Sequence, residues 1–531
     1  MDLASFAGPF LPEILLLAGT LLIFLLDVLG VRRIEVTGGV AVAATGLALL
    51  FVVADLGFAP IAALATVPSG QVDAVVASGA TPLYAFTSFG FVFQGIFLLA
   101  AFLVALASMS RPSKERGAPI FYGLLLLATL GTLLATIASD LIFLLLAVEV
   151  TSISTYLLVA YPRKDVRSLE AAMKFYIIGA LSTTLSFFGA SLLYGAYGTT
   201  NLYAIRAVAG SVGYPVLVLI GYGFLIAGLS FKATLVPFHA WAVDVYDGAP
   251  SDVTAFLAGG SKKVGLFAFF LVFLGPVLFV APGAGGSPFS GGTLNLGPVL
   301  QVTLAVLAVV TMTVGNVLAL LQREMKRMLA YSSISQAGYM LIGIVIGTSP
   351  ALTGATMQMF ANVFMKTGTF LVVAGVAALG IGPLIDDWKG VGTRRPLLGV
   401  AFGLMLFSLA GVPLTVGFVS KFVLFSSAVQ AQGYFVWLAV AGLLNSALSV
   451  FYYARVLKVM FFDRPAEPSA LPTGSGDGGS APPPLPAGGL GYGRAVAIGL
   501  IAVAIVAIGV YPQPVLGAIS NAAQHFLHVG A

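Results

Sequence analysis

Apolar residues are distributed along this chain in long runs, which are separated by short stretches of polar and charged residues. Each run contains at least the roughly twenty apolar-rich residues that an α-helix needs to cross a bilayer. The pattern therefore predicts an all-α polytopic membrane protein with about fourteen transmembrane helices. The predicted spans are 10–30, 36–57, 83–108, 119–138, 140–161, 170–197, 214–236, 252–275, 298–320, 326–347, 351–379, 397–430, 432–460 and 493–513. Glycines in the run 351–379 and Pro413 in the run 397–430 predict a tilt or a break there.

Positive charges are concentrated in alternate loops. Lys and Arg follow the predicted helices one, three, five, nine, eleven and thirteen, whereas loops 58–80 and 276–297 contain neither. The basic stretches are Arg32 with Arg33, RPSKER (111–116), RKDVR (163–167), REMKR (323–327), Lys389 with Arg394 and Arg395, and Arg464. Because cytoplasmic loops carry an excess of Lys and Arg, we expect these loops to face the cytoplasm. Both termini are then expected on the outer side of the cell membrane, outside the cytoplasm, which requires an even number of helices and supports fourteen.

Composition excludes several classes of function. Only 8% of the residues are charged, compared with about 25% in soluble domains. The chain contains no cysteine, which excludes Cys-ligated iron–sulfur clusters, and its three histidines leave little for haem or a metal site. It also carries no Gly-rich dinucleotide fingerprint in a strand–helix context. We therefore expect no metal and no cofactor in this chain, and its net charge of +5 needs no nucleic-acid partner.

The pattern divides the chain into five segments. They are helices one to three (1–110), a first five-helix unit (111–281), a second five-helix unit (282–463), a Pro/Gly-rich linker (464–492) and a C-terminal helix (493–531). The linker has the composition of a flexible segment, so the last helix could pack apart from the rest.

The two five-helix units look like copies of one another. The penultimate helix of each unit contains both a proline and a lysine, Pro237 with Lys232 in the first and Pro413 with Lys421 in the second. An odd number of helices makes the second copy cross the membrane in the opposite direction. Inverted repeats of this kind place broken helices near the middle of the membrane.

The segment 225–250 is the most unusual of the apolar runs. It places Lys232, Pro237 and His239 within eight residues of each other. A lysine at the bilayer centre costs about 2.5–3.5 kcal/mol on insertion scales. The proline removes a backbone hydrogen bond that a neighbouring group must replace. The combination predicts a broken helix that lines a hydrated cavity, which is typical of a transport site.

Ionisable residues inside the other predicted helices extend this candidate site. The set comprises Glu149, Lys174, Lys232, Lys262 with Lys263, Lys366 and Lys421. A lysine in apolar surroundings holds its proton less tightly, and a nearby carboxylate strengthens that hold. A carboxylate that moves relative to a lysine can therefore drive proton transfer, and Glu149 is the candidate for this role.

Some of these residues have a structural interpretation as well. Lys174 lies near the cytoplasmic end of its helix and can extend to the membrane surface. Lys262 and Lys263 are about 100° apart on a helix, so we expect one to be peripheral and favour Lys262 as the inner residue. His239 either relays protons between the two units or is a hydrogen-bonded structural histidine.

Several blocks of sequence resemble the antiporter-like membrane subunits of complex I. These blocks are FKATLVPFHAWAVDVYDGAP, LAVEVTSISTYLLVAY, KFYIIGALSTTLSFFGASLLYGAYGTT, QREMKRMLAYSSISQAGYML and GVPLTVGFVSKF. The resemblance covers roughly residues 80–460, and DVYDGAP after the broken helix is most similar to the subunit N type of bacterial NADH-quinone oxidoreductase. It implies a fourteen-helix fold with inverted repeats and one proton channel.

The resemblance also implies a function and a set of partners. The chain would be a proton-translocating subunit of a respiratory enzyme whose FMN, iron–sulfur clusters and quinone lie in or between partner subunits. Carried over by motif, the essential glutamate is Glu149, and the lysines are Lys174, Lys232, Lys262 and Lys421. Lys366 and Lys263 depart from the pattern, and Lys366 could be an additional proton site or could replace another residue of the axis.

Two other functions are compatible with the sequence. One is a cation/proton antiporter subunit of an Mrp-type complex, which would show sodium-dependent flux without coupling to quinone. The other is a scaffold that has lost pumping, although the full set of costly buried charges argues against it.

Overall fold

The computed structural model describes residues 8–57, 82–110, 117–162, 164–209, 214–274, 289–290, 293–294, 296–463 and 489–528. Most of the linker 464–492, the basic stretch 111–116, Arg163, Arg464, and nearly all of loops 58–80 and 276–297 lie outside these residues. Within the described residues, thirteen helices are long and apolar enough to cross a membrane. Two shorter apolar helices together form one further span, which gives the predicted fourteen.

The spanning helices are numbered here in chain order. They are α1 Leu11–Val28, α2 Ile34–Asp55, α3 Ser88–Ser108, α4 Ala118–Thr136, α5 Leu141–Ala160, α6 Val166–Tyr197, α7a Pro215–Ala233 with α7b Ala240–Gly248, α8 Ser251–Leu274, α9 Leu296–Leu320, α10 Met325–Ile346, α11 Ser349–Ala378, α12a Pro396–Ala410 with α12b Val416–Gln430, α13 Phe435–Phe461 and α14 Tyr492–Val510. A further helix, α15, covers Gln513–His528. Short elements complete the fold: helical turns at Gly8–Phe10, Leu202–Val208, Ile385–Trp388 and Val391–Arg394, and an antiparallel pair of strands, β1 Phe289–Ser290 and β2 Thr293–Leu294.

At each end of the bundle, two loops are joined by an isolated β-bridge. At one end the loop before α10 pairs with the loop after α11 through an isolated bridge between Glu324 and Leu384. At the other end a bridge joins Asp140, before α5, to Asn201, after α6. We call the first end the basic face, because it carries residues 164–167, 323–327 and 389–395, and the second end the neutral face. The alternation of loop charge in the sequence thus follows the alternation of helix ends.

The first helix of the candidate site has a clear start signal. The carboxylate of Asp140 accepts hydrogen bonds from the backbone N–H groups of Ile142 and Phe143, at the first turn of α5. Such a cap satisfies donors that have no partner inside the helix. Because the start of α5 is fixed at the neutral face, Glu149 lies close to the middle of that helix.

Helices α4–α8 and α9–α13 form the two predicted inverted units. In each unit the fourth helix is interrupted, between Ala233 and Ala240 in the first and between Ala410 and Val416 in the second. The prediction of two broken helices is therefore confirmed. The long run 351–379 contains a wider, π-helical turn at Val363–Thr367 instead of a break.

A matching π-helical turn occurs in α8 at Leu257–Ser261, and the two π turns pack against each other. The contact is very close, since a Cβ atom on Gly259 would overlap Oγ1 of Thr367 and lie 3.1 Å from its Cβ. Turns of this type inside α-helices are frequent at functional sites. Here they lie directly beside the buried lysines of α8 and α11.

The last two helices pack on the bundle, so the expectation that the C-terminal helix packs apart is wrong. Arg494 of α14 forms a buried ion pair with Asp252 of α8, with 3.5 Å between Nη2 and Oδ2. The aromatic ring of Phe526 in α15 stacks on Phe89 of α3, with 4.6 Å between the ring centroids. The buried charge of Arg494 and the aromatic ring of Phe526 thus fix these two helices against the bundle.

Candidate functional site

The break in α7 is held by side chains rather than by the helix itself. Thr234 ends α7a with a φ of 60°, in the left-handed region. The indole N–H of Trp241 donates to the carbonyl of Phe231 at 3.0 Å, and the backbone N–H of Val236 donates to Thr311 Oγ1 at 3.1 Å. Inside a membrane, backbone groups released by a break need partners of this kind.

Glu149 and Lys232 lie at the same cavity. The ammonium of Lys232, which is 4% exposed, donates to Ser152 Oγ at 3.0 Å. Ser152 follows Glu149 by three residues on α5, so both point to one side of that helix. The Glu149 carboxylate accepts a hydrogen bond from Thr183 Oγ1 of α6 at 2.8 Å. These four residues line a cavity of about 20 Å³, which has room for about one water molecule.

Lys262 and Lys263 are both buried, with exposures of 5% and 1%. Lys262 donates to the backbone carbonyl of Ser333 in α10 at 2.5 Å. Lys263 donates to the carbonyls of Ala258 and Gly259 in the π turn of its own helix. The expectation that one of the two lysines is peripheral is therefore wrong. The physical reason is that α8 is surrounded by other helices, so the side chains of both lysines are buried although they point in directions about 100° apart.

Lys366 joins the same group from α11. Its ammonium donates to Ser332 Oγ at 2.7 Å and to the carbonyl of Leu329 at 3.2 Å, both in α10. Lys366 and Lys262 thus bind the same turn of α10. In the described part of the chain, the polar contacts of these ammonium groups include no carboxylate. We call Lys262, Lys263 and Lys366 the central lysines.

Helix α8, which carries Lys262, packs on the end of α7a, which carries Lys232. Gly265, one turn after Lys262, packs directly on the backbone of Lys232, and a Cβ at this glycine would lie 2.7 Å from the Lys232 carbonyl carbon. A larger residue at position 265 would separate α8 from the end of α7a. The glycine therefore allows the two helices to touch at this point.

Lys421 lies at the break of α12. Its ammonium donates to the carbonyls of Leu409 and Ala410, at 2.8 and 3.1 Å, and to Ser446 Oγ at 2.9 Å. The two carbonyls are at the C-terminal end of α12a, where the helix dipole favours a positive charge. The ammonium also faces the ring of Tyr339, with 5.2 Å to the ring centroid.

Hydroxyl and amide groups fill the space between the central lysines and Lys421. Tyr452 donates to Asn316 Oδ1 at 2.9 Å, and Asn316 Nδ2 donates to the Tyr339 hydroxyl at 3.1 Å. Ser332 forms a hydrogen bond with Tyr453. Sequence reasoning based on charge missed these residues. The signal was present as polar residues in apolar helices, in AYSSISQAGYM (330–340) and NSALSVFYY (445–453).

Lys174 and His239 lie apart from the central lysines and Lys421. Lys174 is half-exposed near the basic face, where it pairs with Glu170 at 2.9 Å and Asp244 at 3.2 Å. This geometry agrees with the interpretation that Lys174 extends toward the surface. His239 immediately precedes α7b and is half-buried, and its Nδ1 atom has no hydrogen-bond partner among the described residues.

Metal ligands are not clustered in the described residues, where no group of three or more His, Asp or Glu could hold an ion. The expectation that redox groups are held by partner subunits stays a prediction.

Comparison with known proteins supports the resemblance seen in the sequence. The family described as NADH:quinone oxidoreductase/Mrp antiporter, TM, matches residues 138–449. The F420H2 dehydrogenase subunit N of Methanosarcina mazei is 39% identical, with 86% of this chain and 89% of the relative covered. The NADH-quinone oxidoreductase subunit N of Trichlorobacter lovleyi is 41% identical, with coverage of 77% and 80%. A chain of respiratory complex I from Thermus thermophilus superposes with a TM-score of 0.73 at 29% identity, with coverage of 96% and 99%. The protein is a multi-pass membrane protein that belongs to the NADH:quinone oxidoreductase/Mrp antiporter transmembrane family.

Proposed function

We propose that this chain is a proton-translocating membrane-arm subunit of a respiratory NADH-quinone oxidoreductase. The observation that carries the proposal is a set of ionisable side chains inside the bundle: half-buried Glu149 and buried Lys232 at one cavity, the buried central lysines, and buried Lys421 at the second break. Each charge inside a membrane costs several kcal/mol, and such residues mark ion pathways in membrane proteins. The names of the compared relatives and the complex I assembly support the same function.

The residues take successive roles in this proposal. Lys174 is the first acceptor near the basic face, and Lys232 is the acceptor inside the membrane. Glu149 is the switch: its carboxylate attracts the charge of Lys232 when close, and its withdrawal leaves that charge unbalanced in a low-dielectric site. Lys262 passes the proton on within the central lysines, and Lys421 releases it.

Lys366 and His239 have secondary roles. Lys366 is a further proton site, because it binds the same turn of α10 as Lys262. His239 is the candidate relay between the first unit and the second, since its unpartnered Nδ1 atom lies at the break of α7.

The proposal includes an orientation and a set of partners. The basic face is cytoplasmic, both termini lie outside, and protons leave near the neutral face. Redox chemistry takes place in partner subunits that hold FMN, iron–sulfur clusters and quinone. One compared relative is named for F420H2 and another for NADH, so the co-purifying peripheral subunits will identify the electron donor.

The proposal is tested with Glu149→Gln in the intact complex, in inside-out membrane vesicles. We expect fewer protons translocated per electron pair, measured by quenching of a pH-sensitive dye against quinone reduction. Glu35→Gln is the matched control, because Glu35 is an exposed carboxylate at the start of α2. An unchanged proton-to-electron ratio in Glu149→Gln would overturn the proposal and favour the scaffold. Sodium-dependent flux without quinone reduction would instead favour the Mrp-type antiporter.

A further inference from the structure

A cavity of about 660 Å³ lies at the basic face, where α11 ends and where α12a and α14 begin. Its volume is within the range of about 300–1,000 Å³ that is typical of ligand pockets. It is lined by Leu379 directly after α11, by 394–398 at the start of α12a, and by 489–492 with Ala495 at the start of α14. We call it the basic-face cavity. Among the described residues that line it, none has a role in the proposed proton translocation.

The basic-face cavity carries positive charge. Arg394 and Arg395 both line it, and no carboxylate is present among the described lining residues. The Nη2 atom of Arg394 is buried and has no hydrogen-bond partner in the described part of the chain. A buried guanidinium N–H group without a partner is unfavourable, so a ligand with acceptor oxygens fits this position. The planar guanidinium group matches the oxygen geometry of a phosphate.

The start of α12a adds to this preference for an anion. Pro396 occupies the first helical position, and no side chain caps this helix start within the described residues. The first backbone N–H groups of an α-helix have no partner inside the helix, and they carry a partial positive charge. Phosphate groups bind at helix starts for this reason. The two arginines directly precede this start, so the side chains and the helix favour the same class of ligand.

An apolar stripe leads from the basic-face cavity along α12a. Leu397 lines the cavity, and Leu397, Val400 and Phe407 are 88%, 63% and 47% exposed. Their spacings of three and seven residues place them on one side of the helix. From Leu397 to Phe407 the helix rises about 15 Å, which is half of the hydrocarbon core of about 30 Å. The stripe therefore has the depth of one membrane leaflet, as an acyl chain does.

The basic-face cavity also lies at the level of lipid headgroups. Tyr492 lines it at the start of α14 and is 86% exposed. Tyrosine is enriched at the boundary between membrane and water, and arginine near a helix end keeps its charge there. Basic pockets between transmembrane helices bind phospholipid headgroups. A free phosphate would use the arginines but leave the apolar stripe without a role.

We propose that the basic-face cavity binds an anionic phospholipid. The phosphate lies between Arg394, Arg395 and the start of α12a, and one acyl chain follows the stripe from Leu397 to Phe407. The binding involves no proton transfer, so it is independent of the proposed function.

The test uses a phosphatidylglycerol with a photoreactive diazirine in one acyl chain, added to the intact complex in phosphatidylcholine nanodiscs. We expect mass spectrometry to find the label on α12a between Leu397 and Phe407. Excess unlabelled phosphatidylglycerol should remove this label, whereas further phosphatidylcholine or inorganic phosphate should not. Equal competition by inorganic phosphate would show a site for free anions, and equal competition by phosphatidylcholine would show that headgroup charge is not recognised. Either result, or a wild-type α12a without label, would overturn the proposal.

Variants link the label to the cavity. Arg394→Gln with Arg395→Gln should lower labelling of α12a by about tenfold or more, because each arginine contributes a charged hydrogen bond. Arg33→Gln with Arg323→Gln is the charge-matched control, since both arginines are exposed and neither lines the cavity, and its labelling should stay at wild type. Ala495→Phe keeps the cavity's arginines but fills part of its space, so it should also lower labelling and serves if the first pair fails to assemble. Wild-type labelling in either cavity variant, or an equal loss in the control, would overturn the lipid site.

Discussion

The contact between the two π turns provides a direct test of how packing supports the central lysines. Gly259 of α8 and Thr367 of α11 touch, and a methyl group added as Gly259→Ala would overlap Thr367 Oγ1. Overpacking of a well-packed interior costs about 1–3 kcal/mol. We expect the upper half of that range, because the neighbouring atoms belong to Thr367, a β-branched and fully buried residue with restricted side-chain rotation.

The same substitution should reduce proton pumping. If the added methyl displaces α11 by about 1 Å away from α10, the contact of 2.7 Å between Lys366 and Ser332 opens beyond the limit of about 3.5 Å for a hydrogen bond. Misplacement of about 1 Å can lower the rate of a positioned reaction by about 100-fold. We therefore expect Gly259→Ala to lower the thermal unfolding midpoint in detergent and to reduce the proton-to-electron ratio in vesicles.

A second-site change separates this mechanism from general damage. Thr367→Ala removes the overlapping oxygen, so the double variant with Gly259→Ala should recover most of the lost stability, with a coupling of about 1–2 kcal/mol. Gly39→Ala in α2 is the matched control, because no atom lies within 4 Å of the added methyl. Wild-type stability in Gly259→Ala, or no recovery in the double variant, would refute the reasoning.

Three further predictions concern other contacts. Lys366→Met should reduce pumping without lowering the unfolding midpoint below that of the exposed control Lys458→Met. Removal of the buried charge relieves a cost of about 2.5–3.5 kcal/mol, whereas each lost hydrogen bond costs only about 1 kcal/mol. A large drop in the midpoint would contradict this. Arg494→Met should destabilise the subunit by about 3–5 kcal/mol, because Asp252 loses its buried ion pair, and adding Asp252→Asn should restore assembly, measured as the amount of intact complex. Trp241→Phe keeps an aromatic ring but loses the hydrogen bond to the end of α7a, so it should lower the free energy of unfolding by about 1 kcal/mol, measured by denaturation. An unchanged denaturation midpoint would show that this bond is dispensable.

The sequence was most informative where a polar group conflicts with its apolar surroundings. Lys232 with Pro237, and Pro413 with Lys421, identify both broken helices, because a membrane helix accepts such residues only where partners are available. The hydrophobic runs likewise predict the number of spans. These features depend on the free-energy cost of exposing a charge or a backbone group to hydrocarbon. This cost can be recognised from a short stretch of sequence.

The arrangement of the central lysines could not be predicted in the same way. Helical geometry separates Lys262 from Lys263, but it does not reveal that protein surrounds α8 on both sides. Lys366 meets Lys262 only because α8, α10 and α11 pack together, which is a long-range property. The surface position of Lys174 depends on ion pairs with Glu170 and Asp244, and its sequence position alone permitted both interpretations.

The hydrogen bond from the backbone N–H of Val236 to Thr311 makes the first repeat depend on the second. Val236 belongs to the interrupted helix of the first repeat, and Thr311 belongs to the opening helix of the second. A copy of the first repeat alone would leave this amide facing hydrocarbon, with the penalty of an unsatisfied backbone donor. The first repeat therefore depends on the second for this hydrogen bond, and expression of the first repeat alone should yield a segment that inserts but does not complete its interrupted helix.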